Sequence, residues 1–252
     1  MDVTEHLRYL AGEGSLLART VASVDLDAVV PSCPEWTVRD LARHVGGVHR
    51  WATHIVAEPR RTPWNPDLAE LVGRPPSDAD LSAWLVEGVE RLVESLAASP
   101  TDLDCWSFLP APSPLAMWAR RQAHETTIHR VDVQQAGLLA LSPVGPDLAI
   151  DGVDELLSGF LTRRRRALPG VVGPHLVEVV ATDTGRSWTL QWDDQTVSVA
   201  AGASATPADE SLSGRAQDLY LALWNRAPIT GLSHRGSTQL AESWSTAVRV
   251  NW

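Results

Sequence analysis

The 252-residue chain contains no lysine, and all 21 of its basic residues are arginine. Against 31 acidic residues they leave a net charge of -10. That balance argues against nucleic acid, whose binding rests on clustered cations neutralising phosphates, and against an anionic bilayer. Cysteine is scarce too: Cys33 and Cys105 are too few for a disulfide framework and read as free thiols of a reducing compartment. No apolar run approaches the roughly 18 to 20 residues that span a membrane. The opening residues Met1-Asp2-Val3-Thr4-Glu5 lack the basic start and apolar stretch of a secretory signal, so a cytoplasmic location is expected. Phenylalanine and tyrosine number two each, whereas tryptophan numbers 11. Arginine and tryptophan in place of lysine and isoleucine are the codon drift of a high-GC genome. What remains is ample for a core: 44% of residues are hydrophobic and the mean hydropathy is -0.09.

The expected fold is α+β in two domains, an antiparallel four-helix bundle over residues 1–142 and a small α+β domain over 150–252. A first helix is predicted over about 4–22 from Leu7, Leu10, Leu16, Leu17 and Val21. After the Pro-rich turn 31–36, Thr37 and Asp40 form a capping-box variant that opens a second helix to about residue 57. A Pro- and Arg-rich loop (58–76) leads to Ser77 and Asp80, which open a third helix closed by Pro100. The fourth starts on Ser113 and Pro114 and ends at Gly137. Beyond the linker 142–146 one helix (about 151–166) precedes period-two segments at 175–180, 187–192 and 196–199, joined by Asp183-Thr184-Gly185 and Asp193-Asp194. A helix over 211–225 and a tail strand near 245–250 complete the pattern.

Chemistry concentrates on the fourth helix, in His124-Glu125-Thr126-Thr127-Ile128-His129. The two histidines are five apart and point about 140° away from each other on a helix, so this is not a zinc-protease motif. Glu125 and His129, four apart, share a face beside the apolar stripe. His44 borders the buried stripe of the second helix, one turn from Leu41 and Val48. Two helices projecting His, Glu and His inward could supply three N/O ligands and leave a fourth position open, the pattern of a catalytic divalent-metal site. A satisfied boundary histidine and an i,i+4 surface pair are the plainer readings of the same residues. His49 is a rival ligand on the other border of the stripe. Asp132 is placed to hold the free ring nitrogen of His129 or to join the ligand shell.

The segments Cys33-Pro34-Glu35-Trp36-Thr37-Val38-Arg39-Asp40-Leu41-Ala42-Arg43-His44-Val45-Gly46-Gly47-Val48-His49-Arg50-Trp51 and Arg121-Gln122-Ala123-His124-Glu125-Thr126-Thr127-Ile128-His129-Arg130-Val131-Asp132 resemble the two signatures of the mycothiol-dependent maleylpyruvate isomerase family. Residues 214–224 resemble a helix of its second domain. The resemblance implies a DinB-like bundle joined to a sterol-carrier-like domain. It also implies a divalent metal, usually zinc, on His44, Glu125 and His129, and mycothiol as co-substrate. In such a family the metal holds the thiol sulfur, and the thiolate adds to an electrophile such as a cis-enedione.

An arginine of the second domain is implied to face the anionic substrate; Arg235 is the catalytic candidate, with Arg226 as the other. Arg163-Arg164-Arg165-Arg166 reads as a solvated helix end complementing the dipole, and Cys33 as structural. The partners expected are a small-molecule substrate and a low-molecular-weight thiol, acting on a monomer or homodimer. Two other functions fit the same residues: a mycothiol S-transferase, and a non-catalytic module that holds an apolar ligand.

Overall fold

In the computed structural model, residues 1–64, 66–73, 76–163, 174–192, 196–236 and 238–250 are described. The chain divides into two compact units, Met1–Ser142 and Pro143–Trp252. The first holds four long helices, α1 (Val3–Val21), α2 (Val38–Ala57), α4 (Leu81–Ala98) and α5 (Pro114–Ala136), with the short α3 (Leu68–Val72) inside the second connection. A small hairpin, β1 (Val29–Val30) and β2 (Cys33–Thr37), occupies the place expected to be a simple Pro-rich turn.

Two of the expected helix starts coincide with their caps, whereas α4 begins at Leu81 after Ser77 and Asp80 with no side-chain cap. Thr37 caps α2 through Asp40 N, while the Asp40 carboxylate accepts from Thr37 N at 3.0 Å. Ser113 caps α5 through Ala116 N, with Pro114 in the first turn. At the other end Gly137 is required for space, because a Cβ there would collide with Val24; the left-handed residue is its neighbour Leu138 (φ 53°).

Helix directions correct the expectation of an antiparallel bundle. Ser82 donates to the Ala18 carbonyl, and Gly14 lies against Val89, so α1 and α4 are antiparallel. Arg130 pairs with Glu13, and the His6 and His124 rings meet edge to face, so α1 and α5 run parallel. Arg39 pairs with Asp78 and Arg50 with Glu87, so α2 and α4 are parallel as well. The reason is the connection spanning residues 58–80, which is long enough to return the chain to the end where α2 began.

In the second unit α6 (Pro146–Asp154) continues as a π-helical turn (Glu155–Phe160) and a 3-10 turn (Leu161–Arg163), so the predicted helix is divided; Arg164–Arg166 lie outside the described residues. A five-stranded sheet of β3 (His175–Ala181), β4 (Arg186–Trp192), β5 (Val197–Ala201), β6 (Glu210–Gly214) and β7 (Ser233–Gly236) has the order β5-β4-β3-β6-β7. Among the described residues only β3 and β6 pair in parallel. The predicted strands at 175–180, 187–192 and 196–199 are present, though Asp193 and Asp194 fall outside the described residues.

Two expectations fail here. The helix begun at 211 is strand β6 followed by α7 (Ala216–Leu223), and the tail strand is helix α8 (Gln239–Ala247). One residue accounts for much of this: Glu210, fully buried, accepts from Leu240 N and Ala241 N at 3.4 Å, a carboxylate at the N-terminus of α8.

Tryptophan fills the cores with its indole N–H satisfied, as buried indoles require. Trp188 donates to Asp154 Oδ1, Trp224 to the Gly152 carbonyl and Trp244 to the Leu223 carbonyl. Among the described residues no helix is long and apolar enough to cross a membrane.

The α2–α4 contact is tightest where the Trp84 ring lies directly on Gly46, with Arg50 stacked 3.9 Å over that ring and bonded to the Gly46 and Trp84 carbonyls. Gly46→Ala is therefore expected to destabilise by roughly 1–2 kcal/mol, overpacking outweighing the better helix propensity of alanine. Gly12→Ala, exposed with open space around it, should stabilise by up to about 1 kcal/mol. Denaturant unfolding of both variants measures the two signs.

Candidate metal centre

The site is built on α5, and that helix is unusual. Eighteen of its 23 residues are buried, among them Arg121, Gln122, His124, Glu125, His129, Arg130 and Asp132. A polar helix in the interior must satisfy its groups internally. Arg130 does so in part, with Nε on Glu13 and Nη1 on Gln134, and Thr127 through the Ala123 carbonyl.

Glu125 is 1% exposed. Its two oxygens are used differently: Oε2 accepts from the Arg121 guanidinium at 3.2 Å, while Oε1 lies 3.0 Å from His129 Nε2 and 3.6 Å from His44 Nε2. The His44 and His129 rings stand edge to face at 5.6 Å. His44, Glu125 and His129 thus bring one ligand atom each within 4.8 Å of one another. Bonds of about 2.0–2.2 Å at a tetrahedral centre leave neighbouring ligand atoms about 3.4 Å apart, a value bracketed by the 3.0 and 3.6 Å separations. His44 Nε2 is buried and has no hydrogen-bond partner among the described residues. A buried imidazole nitrogen without a partner, facing a carboxylate and a second imidazole, fits a divalent cation.

The surroundings orient these groups. His129 Nδ1 faces Asp132 Oδ2 at 2.9 Å, and Asp132 Oδ1 accepts from Ser32 Oγ at 2.7 Å, so the β1–β2 hairpin reaches behind the triad. Trp36 of β2 covers His44 at 4.9 Å between ring centroids. A carboxylate on Nδ1 fixes the tautomer that frees Nε2 for a metal.

Burial alone would raise the Glu125 pKa, but His129, His44 and Arg121 hold it well below the ordinary carboxylate value. Burial likewise opposes charge on His129, yet Glu125 and Asp132 outweigh it and raise its pKa to about 9. His49, the rival ligand, turns instead to Thr126, its Nε2 lying 2.8 Å from the hydroxyl, and burial holds it neutral with a pKa of about 3.

The structure brings His44, Glu125 and His129 into one cluster, with Asp132 beside His129. Sequence reading missed Arg121, although that residue is one turn before Glu125 and an i,i+4 pair was readable. Ser32 carries no such signal, 100 residues from its partner. Cys33 and Cys105 are free thiols. Arg235 lies on β7 opposite Ser211 and is exposed, whereas Arg226 follows α7 and bonds the Trp224 carbonyl.

Comparison with known proteins agrees with this architecture. The profile of the mycothiol maleylpyruvate isomerase N-terminal domain matches residues 7–134, and that of the MDMPI C-terminal domain matches 147–243. The chain belongs to the mycothiol maleylpyruvate isomerase family. Among solved structures it is similar to a mycothiol-dependent maleylpyruvate isomerase, at 14% identity and a TM-score of 0.61 over 93% of each chain. A histidine-to-alanine mutant of a mycothiol-dependent maleylpyruvate isomerase aligns over the same share at 14% identity and a TM-score of 0.60. No curated protein matches the chain.

The sign of the pH dependence follows from the two histidines. The folded pKa of His129 is above its unfolded value, so its stabilisation is complete below about pH 6.5 and is lost as pH rises through about 9. His49 acts oppositely, removing stability as pH falls from about 6.5 toward 3. Protein stripped of divalent ions should therefore lose unfolding free energy between pH 7 and 9.5. His129→Gln should flatten that limb, as read by urea unfolding at each pH.

Proposed function

We propose that this protein is a metal-dependent, mycothiol-dependent enzyme that isomerises a small electrophilic enedione of the maleylpyruvate type. The four helices of the first unit serve as a DinB-like bundle around the metal, and the second unit is sterol-carrier-like. The observation that carries this reading is the convergence of His44 Nε2, Glu125 Oε1 and His129 Nε2 on one point.

His44, Glu125 and His129 would hold a divalent ion, zinc by donor type, with one position left open. When bound, such an ion supplies a Lewis acid that takes the thiol sulfur and lowers its pKa. The chain's own residues prepare the rest. Asp132 holds the Nδ1 proton of His129, and Arg121 occupies Glu125 Oε2 so that Oε1 alone is presented. Glu125 and Asp132 bring two negative charges and Arg121 one positive charge; with a divalent cation the pocket is one charge positive, which a thiolate neutralises.

Thiolate addition forms a C–S bond at one alkene carbon and moves the π pair onto the conjugated carbonyl oxygen. The former double bond then rotates. Return of the pair re-forms the alkene in its trans geometry and expels the thiolate, so no oxidant or reductant is consumed. Arg235 is assigned to the substrate carboxylate as its cationic partner.

Protein purified without an affinity tag is expected to carry about one zinc per chain. His44→Ala and Glu125→Gln should each weaken zinc binding by at least 10- to 100-fold, and Arg235→Ala should raise KM for the anionic substrate about tenfold. With mycothiol and maleylpyruvate, mass spectrometry and absorbance should show the trans isomer and recovered thiol. A stable thioether would make the protein a mycothiol S-transferase instead. A folded protein that binds no metal and processes no thiol would leave only a small-ligand module and overturn the reading.

A further inference from the structure

One buried polar group on the face that carries the triad is used by none of these contacts. Gln122 is 1% exposed, and its Oε1 is buried with no hydrogen-bond partner among the described residues. At about 100° per residue Gln122 lies within about 20° of His129, 40° of Trp118 and 60° of Glu125 around the axis of α5. That face is turned to α2 at both ends of the span: Trp118 packs on Trp51 with ring centroids 5.1 Å apart, and His129 meets His44 at 5.6 Å. Gln122 stands between these contacts. On α2, between His44 and Trp51, Gly47 and Val48 have no hydrogen-bonding side chain to offer, and His49, which faces α5 through Thr126, makes no hydrogen bond with Gln122 Oε1. Packing alone gives no reason for a carboxamide here, since methionine or leucine would fill the volume without desolvating an acceptor.

We propose that Gln122 is a binding residue for the thiol co-substrate: its Oε1 accepts a hydrogen bond from an amide N–H or hydroxyl of the molecule whose sulfur is held at the triad. The assignment rests on the mycothiol-dependent reading above. Distance along the helix supports it. Gln122 is three residues, about 4.5 Å of rise, from Glu125, and about 10 Å from His129, within the reach of a thiol whose polar groups begin a few bonds from its sulfur. Gln122 thereby selects thiols that carry a donor at that distance and discriminates against bare alkanethiols, because only the former satisfy the acceptor.

The test uses zinc-loaded full-length protein and two apolar variants, Gln122→Met and Gln122→Leu, with zinc content, thermal midpoint and mycothiol affinity by calorimetry. The expected result is full zinc content, a thermal midpoint unchanged or raised because an unpaired buried acceptor has been removed, and mycothiol affinity lowered about tenfold. Mycothiol binding within twofold of wild type in a folded variant overturns the proposal, as it would if the carboxamide were satisfied by water alone. A midpoint lowered by several degrees in both variants also overturns it, marking the group as structural. So does a raised KM for the electrophile with mycothiol affinity unchanged. Wild-type protein that takes zinc but binds no mycothiol overturns the functional reading and this inference together, whereas wild-type binding with unaltered variants overturns this inference alone.

Discussion

A carboxylate buried between two helices must find positive partners, and Glu125 determines much of what surrounds it. Arg121 and His129 stand one turn before and one turn after it on α5, so three of the four participants are aligned by a single helix. Only His44 must be imported, from α2, and the register between α2 and α5 is therefore the variable that the rest of the first unit controls. The His49–Thr126 hydrogen bond and the Trp51–Trp118 contact set that register along the helices. The β1–β2 hairpin sets it from the side, with Ser32 on Asp132 and Trp36 over His44. On the far side of α2, Trp84 seated on Gly46 holds the helix against α4. Each device lies within a few turns of the triad.

What could be read from sequence divides along the range of the forces involved. Caps are local, and Thr37 with Asp40 and Ser113 with Pro114 marked the starts of α2 and α5 correctly. The grouping of Glu125 with His129 follows from helical spacing, and His44 from its position beside a buried stripe. Helix direction is not local. Nothing in the composition of α2 or α4 says whether they run together, and the loop 58–80 admits both outcomes until Arg39 meets Asp78 and Arg50 meets Glu87. The same holds for Ser32, whose partner is distant in the chain.

The second unit shows the limit more sharply. Strands β3 and β4 alternate buried and less buried residues through most of their length, and they are antiparallel neighbours across a short turn, so periodicity found them. Residues Glu210–Gly214 pair in parallel with β3, a contact that no neighbouring turn announces, and their Ser-Leu-Ser pattern suits a helix start equally well. For residues 239–247 the deciding group is the Glu210 carboxylate at the helix N-terminus, about 30 residues earlier in the chain. Local propensity is a weak guide wherever a distant charge supplies the cap.

Glu210 also clarifies what is special about Glu125, because the two carboxylates have similar surroundings. Both are buried, and both lie between two histidines. Glu210 has His234 Nε2 at 2.8 Å, His175 Nε2 at 3.4 Å and two backbone N–H groups, and neither histidine has a buried nitrogen without a partner among the described residues. That cluster is closed, and its consequence is structural: it ties α8 to the sheet. Around Glu125 the count does not close. His44 Nε2 stops 3.6 Å from the carboxylate with its hydrogen-bonding capacity unused, and Gln122 Oε1 on the same face is unpaired. Evolution tolerates buried polar groups where they complete each other, and a cluster left open by one imidazole and one carboxamide is stable only at a cost in desolvation. The difference between a closed and an open cluster, more than the identity of the residues, is what distinguishes the surroundings of Glu125 from those of Glu210 and supports the proposal of a ligand there.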